Sequence, residues 1–151
     1  MAQNLPVAME GSMHDRKTIL VVDDIPLMRT MLVKYIKTLG IKILRESYGV
    51  PGIDVLEAPN GKVALQKMRE QRVDLIFLDL MMPEMDGLTF LGVKRETPAF
   101  SRIPVIVCSA LGEKDTVDKA KDLGAKAYIM KPFTLKTIEE SLRKAMDIVK
   151  E

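Results

Sequence analysis

Two hydrophobic periods alternate along this chain. Thr18 to Val22, Val73 to Leu78, Ile103 to Cys108 and Ala127 to Met130 are short, β-branched apolar runs, the pattern of parallel strands buried on both faces. Asp54 to Ala58 reads as a further strand, second in chain order. Between these runs the spacing turns helical. Met28, Met31, Leu32, Tyr35, Ile36 and Leu39 mark a helix that begins near Pro26, with Asp24 available as its cap and Gly40 as its stop. Val63, Leu65 and Met68 mark a second helix after Asn60-Gly61, and a third starts at about Leu88 after the turn-rich Met82 to Gly87. A fourth runs from about Lys114 to Leu123 and stops at Gly124, and the last runs from about Leu135 to Ile148 with Thr134 as its cap. Five strands and five helices in strict alternation predict an α/β fold, a doubly wound five-stranded parallel sheet with helices on both faces.

Two segments stand outside this rhythm. Met1 to Ser12 has no periodicity, and residues 1–16 are expected to be a disordered tail or an expression remnant, with Met13 as the natural start; a functional arm is the alternative. The folded unit is then 17–150, with an insertion around 41–53 that exceeds an ordinary helix-to-strand loop. The front half of that insertion could extend the helix or add a strand, and Tyr48 to Gly52 reads as a turn. It is either a tolerated surface insertion or a partner or dimer surface.

Composition narrows the class. The chain has 151 residues, 47% hydrophobic and 29% charged, an ordinary balance for one globular domain. A formal charge of +2 is too small to argue for nucleic acid. No apolar stretch approaches the roughly 20 residues that span a bilayer, and no signal-peptide core is present, so no membrane insertion and a cytoplasmic location are expected. Cys108, the one cysteine, lies inside an apolar run and is expected to be a buried thiol.

The chemistry sits where the apolar runs stop. The first ends at Asp23-Asp24, the third at Asp79, the fourth at Ser109-Ala110 and the fifth at Lys131-Pro132. The C-terminal ends of parallel strands open onto the crevice where α/β sheets bind ligands. Three carboxylates suit a hard divalent cation such as Mg2+, and one ammonium suits phosphoryl oxygens. A carboxylate such as Asp79 can also attack a phosphoryl donor and hold the group as an acyl phosphate. Each element alone has a plainer reading, as a helix cap, a turn or a surface charge; the conjunction is what points to a site.

Val21-Val22-Asp23-Asp24, Leu78-Asp79 with Met82 to Gly87, Ser109-Ala110 and Tyr128 to Phe133 resemble the signature blocks of the response-regulator receiver domain of two-component signalling, and Glu57 to Gly61 resembles that family's turn after the second strand. The resemblance covers nearly all of Lys17 to Lys150. It implies the flavodoxin-like strand order 2-1-3-4-5 and Asp79 as phosphoacceptor. It also implies Mg2+ held by Asp24, Asp79 and the backbone carbonyl of Met81, with Asp23 acting mainly through water. Lys131 would contact the phosphoryl group through a cis Lys131-Pro132 peptide bond, and Ser109 and Tyr128 would form the switch pair. The implied partners are a histidine kinase or phosphotransfer protein, and a downstream protein target on the face made by the fourth helix, fifth strand and fifth helix, a face through which a homodimer could also form. Direct nucleic-acid binding is not expected.

Met81 and Leu111 would flank an attacking water and cannot orient it, so slow autodephosphorylation is expected. An Mg2+-dependent aspartyl phosphatase is the rival reading; such enzymes commonly carry a second Asp two residues after the nucleophile, where this chain has Met81. A degenerate receiver acting only in docking is disfavoured because the acidic positions are intact. A stand-alone, chemotaxis-like regulator is expected in preference to a fragment of a larger regulator, since the last helix runs to the end of the chain.

Overall fold

A computed structural model of the chain describes residues 16–150; the expectation for residues 1–15 lies outside the described residues. The elements alternate as β1 (Lys17–Val22), α1 (Pro26–Tyr48), β2 (Ile53–Ala58), α2 (Gly61–Glu70), β3 (Leu75–Leu78), α3 (Gly87–Glu96), β4 (Val105–Ser109), α4 (Lys114–Asp122), β5 (Ala127–Met130) and α5 (Leu135–Lys150). The strands form one parallel sheet in the order β2-β1-β3-β4-β5, the order expected. Among the described residues no helix is long and apolar enough to cross a membrane.

Strand period 2 divides the core into two layers. Leu20, Val22, Ile76, Leu78, Val105 and Val107 point to one face and pack with Ala64, Leu65 and Met68 of α2, Phe90 and Leu91 of α3 and Ala120 of α4. Ile19, Val21, Phe77, Ile106, Cys108 and Ile129 point to the other and pack with Leu32, Val33 and Ile36 of α1 and Ile138 and Leu142 of α5. Fully burying each large apolar side chain contributes roughly 1.5–3 kcal/mol, so the central strands hold the sheet edge in place.

The caps follow local chemistry at three helices. The side chains of Asn60 and Asp86 accept the backbone N–H groups of Val63 and Thr89, capping α2 and α3. Thr134 Oγ1 accepts from the backbone N–H of Thr137 (3.2 Å) ahead of α5. At α1 the expected cap is not used. Ile25 occupies that position with no side-chain bond, and Pro26 opens the helix, which leaves the Asp24 carboxylate uncommitted.

Nor does α1 stop at Gly40. It runs to Tyr48 and ends at Gly49, whose φ of 66° is the left-handed conformation that glycine adopts without strain. Gly40 is a packing residue: a Cβ there would lie 2.7 Å from Ile53 Cδ1, so glycine lets the helix cross close to β2. The front half of the 41–53 insertion is therefore helix, and no extra strand forms. Leu44 of the extension and Val50 pack with Met146 of α5, and the Tyr48 hydroxyl donates to Asp147 Oδ1 (2.7 Å).

Candidate functional site

Parallel register assembles the acidic cluster. Val22 pairs with Leu78, so Asp23 and Asp79 leave the sheet side by side, and the backbone N–H of Asp79 donates to the carbonyl of Val22 (2.9 Å). Leu78 pairs with Val107 and Ser109 with Met130, which brings Ser109 and Lys131 to the same edge. Asp24 follows Asp23 in the β1–α1 turn. One carboxylate oxygen from each of Asp23, Asp24 and Asp79 lies within 4.8 Å of the others. Asp23 and Asp79 are buried, at 2% and 4% exposure, whereas Asp24 is half-buried.

Lys131 is the cation of this cluster. Its Nζ lies 2.7 Å from Asp23 Oδ2 and 3.4 Å from Asp79 Oδ2. The Lys131-Pro132 peptide bond is cis, as the resemblance implies. Asp23 is held at both oxygens, since Oδ1 accepts the backbone N–H of Ile25 (2.9 Å). Asp79 Oδ1 accepts only the longer bond from the Met81 backbone N–H (3.3 Å).

Burial raises the Asp79 pKa above that of an ordinary carboxylate; Lys131 opposes the rise and the Asp23 charge adds to it. Burial works against the Lys131 ammonium, but the bond to Asp23 and the charges of Asp79 and Asp23 outweigh it and hold its pKa above that of an ordinary lysine. Burial pushes the Cys108 thiol up to about 12, so it is an inert core group.

Three carboxylates against one ammonium leave a two-charge excess, which a dication would neutralise. The donors are all oxygens, and Asp24 and Asp79 retain the freer ones, as suits Mg2+. The residues present therefore fit this metal.

Ser109 and Tyr128 meet at one residue, Leu111. The buried Ser109 hydroxyl accepts the backbone N–H of Leu111 (3.2 Å), and the Tyr128 hydroxyl donates to the carbonyl of the same residue. Burial raises the Tyr128 pKa, and the nearby Ser109 opposes this. Beside them, a cavity of about 510 Å3 extends from Asp24 past Met81 and Met82 to Asp86 and Leu111.

Two contributors were not singled out from the sequence. Arg29 donates to the backbone carbonyl of Asp23 (2.6 Å) and pairs with Glu57 (3.1 Å), bracing the β1–α1 turn. A basic residue just past the first turn of a helix, against the dipole preference, is the signal that could have found it. Gly87 is the other: a Cβ there would lie 2.5 Å from the Asp79 carbonyl oxygen and 2.6 Å from Leu80 Cα, so the backbone behind Asp79 needs glycine.

A doubly wound sheet carrying an acidic crevice and a facing lysine defines an α/β class with a charged site at the C-terminal edge of its strands. Within it, residues 19–143 match the response regulator receiver domain, and the chain belongs to that family. It is 36% identical over 129 residues to the chemotaxis protein CheY of Bacillus subtilis, covering 85% of this chain and 97% of that protein. It is 37% identical over 128 residues to the chemotaxis protein CheY of Thermotoga maritima, covering 85% and 96%. The structure of the Vibrio cholerae chemotaxis protein CheY4 superimposes with a TM-score of 0.73 at 25% identity, covering 86% of this chain and 98% of that one. The chain is thus a CheY-like receiver domain, of a family that works as a signalling switch rather than as a classic enzyme and that generally binds Mg2+ at an acidic pocket.

Proposed function

We propose that this chain is a phosphorylation-dependent response regulator of a two-component system, accepting a phosphoryl group on Asp79 from a histidine kinase or phosphotransfer protein. The observation that carries this is the convergence of Asp23, Asp24 and Lys131 on the Asp79 carboxylate. Asp24, Asp79 and the Met81 backbone carbonyl would hold Mg2+, with Asp23 in support; when bound, the ion neutralises charge that builds up among the anionic oxygens.

The chain's own residues then do the following. An Asp79 carboxylate oxygen attacks phosphorus, an acyl phosphate bond forms, and the bond from phosphorus to the donor's imidazole nitrogen breaks. Burial holds the nucleophile away from bulk water. Lys131 already faces both buried carboxylates and turns its ammonium to the new phosphoryl oxygens. The Ser109 hydroxyl accepts from Leu111 in the present state, which leaves its own proton to donate to a phosphoryl oxygen. Movement of Ser109 toward that oxygen pulls on Leu111, the residue whose carbonyl holds the Tyr128 hydroxyl, and Tyr128 turns inward. The phosphoryl group stabilises only the state in which these contacts form, so it shifts a two-state equilibrium.

Exposed Ile25, Leu27, Met81, Met130 and Leu135 lie around the acidic edge and supply an apolar rim for a docking phosphodonor. The downstream target and any homodimer would use the α4-β5-α5 face, where Lys119, Lys121, Lys126, Arg143 and Lys144 are exposed and suit an acidic partner. We place the receiver unit at 17–150, acting in the cytoplasm without direct nucleic-acid contact, and with slow autodephosphorylation. Incubation with Mg2+ and acetyl phosphate, followed by intact mass, tests the proposal. One phosphoryl adduct, absent in Asp79→Asn, is expected. Multiple turnover of phosphomonoesters would instead indicate the phosphatase, and an unmodified wild-type chain would end the proposal.

A further inference from the structure

The opposite edge of the sheet gathers charge of the other sign. Lys94 and Arg95 lie in the last turn of α3, Arg102 precedes β4, and Lys126 immediately precedes β5. With Asp122 at the end of α4 they line a cavity of about 420 Å3, four cations against one carboxylate. This is the N-terminal edge of β4 and β5, whereas Asp79 follows the C-terminal end of β3.

Lys94 is the unusual member. It is 5% exposed, and the one bond of its Nζ is to the carbonyl of Ser101 (3.2 Å). No carboxylate pairs with it among the described residues. The Arg95 guanidinium donates to the backbone carbonyl of Asp122 (2.7 Å) and not to its carboxylate, and Arg102 and Lys126 are exposed without an ion pair among the described residues. Burial, with the Lys126 charge added, lowers the Lys94 pKa to about 8. An interior ammonium without a counter-ion is costly to keep, and an entering anion would remove that cost.

Lysine and arginine in the last turn of a helix are ordinary caps for its free carbonyls, which accounts for the bonds of Lys94 and Arg95. It does not account for four cations converging on one cavity. The volume is within the range of small-molecule sites, roughly 300–1,000 Å3. Two guanidinium forks suit phosphate oxygens, and Ile103 and Leu123 add apolar wall for an organic remainder. A flat macromolecular surface would not reach Lys94, so the occupant is small.

We propose that this cavity binds a small phosphorylated molecule, with Lys94 as the buried ligand and Arg95, Arg102 and Lys126 around it. The test titrates inorganic pyrophosphate into the full chain by calorimetry, at pH 7 and low salt with EDTA present. Saturable one-to-one binding is expected. Lys94→Met should weaken it on the order of tenfold or more, the loss expected for a charge-assisted bond, and Arg102→Ala severalfold. Lys37→Ala, an exposed cation on α1, should change nothing. Arg102 is exposed, so its variant keeps the test valid if Lys94→Met does not fold. Absence of saturable binding to the folded wild type, wild-type affinity in the folded Lys94 and Arg102 variants, or binding of a Glu-rich peptide in place of pyrophosphate would overturn the proposal.

Discussion

Lys131→Met is the most informative single perturbation. Among the described residues Lys131 is the one ammonium paired with Asp23 and Asp79, both under 5% exposed. Removing one partner of a buried ion pair leaves uncompensated charge and typically costs about 3–5 kcal/mol. Against a total stability of about 5–15 kcal/mol this is a large fraction. With a urea m-value of about 2 kcal/mol/M, the unfolding midpoint in EDTA should fall by about 1.5–2.5 M. Two internal checks follow from the same charges. Mg2+ should stabilise the variant more than the wild type, because the freed carboxylates compete with no ammonium. Adding Asp79→Asn should recover part of the loss, since it removes one of the stranded charges.

The pH dependence has a definite sign. The raised Lys131 pKa means that its contribution is complete below the ordinary lysine value of 10.5 and is lost only above it. Asp79 has a raised pKa, so its folded form takes up a proton before the unfolded chain does, and the variant's penalty should shrink as the pH falls. A loss below about 1 kcal/mol, together with a Mg2+ response no larger than that of the wild type, would refute the placement of these charges.

Lys94, faced by Lys126, Arg95, Arg102 and Asp122, has its pKa lowered to about 8, so the unfolded chain binds more protons between there and 10.5. Stability should therefore rise with pH across that window, and Lys94→Met should abolish this part of the slope and stabilise the chain at pH 7 by on the order of 3 kcal/mol, measured by urea melts at pH 7 and 10. Gly87→Ala should cost about 1–3 kcal/mol and slow formation of the Asp79 adduct, because its Cβ would strike the Asp79 carbonyl and Leu80 Cα; wild-type stability would show that the turn yields freely. Met81→Asn with Leu111→Glu should speed loss of phosphate on the order of tenfold by orienting water, followed as decay of the adduct mass; an unchanged rate would remove support for apolar control of hydrolysis.

The sheet and its edge were legible in the sequence because buried parallel strands are written as continuous apolar runs whose last residue marks the crevice. Asp23, Asp79, Ser109 and Lys131 could be placed on one edge from that alone. The length of α1 was not legible. Gly40 and Gly49 look alike in the chain, and only the approach of Ile53 to one and the left-handed turn at the other tell a packing glycine from a terminating one. Asp24 was assigned the capping of α1 by residue type, whereas Ile25 holds that position and Pro26 pre-sets the first turn. The cations around Lys94 were illegible for a different reason: Lys94 lies in α3 and Arg102 and Lys126 in two later connections, and their convergence is a product of tertiary folding.

The length of α1 has a mechanical consequence. The helix begins two residues beyond Asp24 and ends with Tyr48 anchored to Asp147, a rod of 23 residues or about 34 Å. A tilt of about 5° pivoting at the acidic end would carry its far end through about 3 Å. A change of helix angle at the crevice would therefore be largest at the contact of Tyr48 with Asp147, where the tips of α1 and α5 meet.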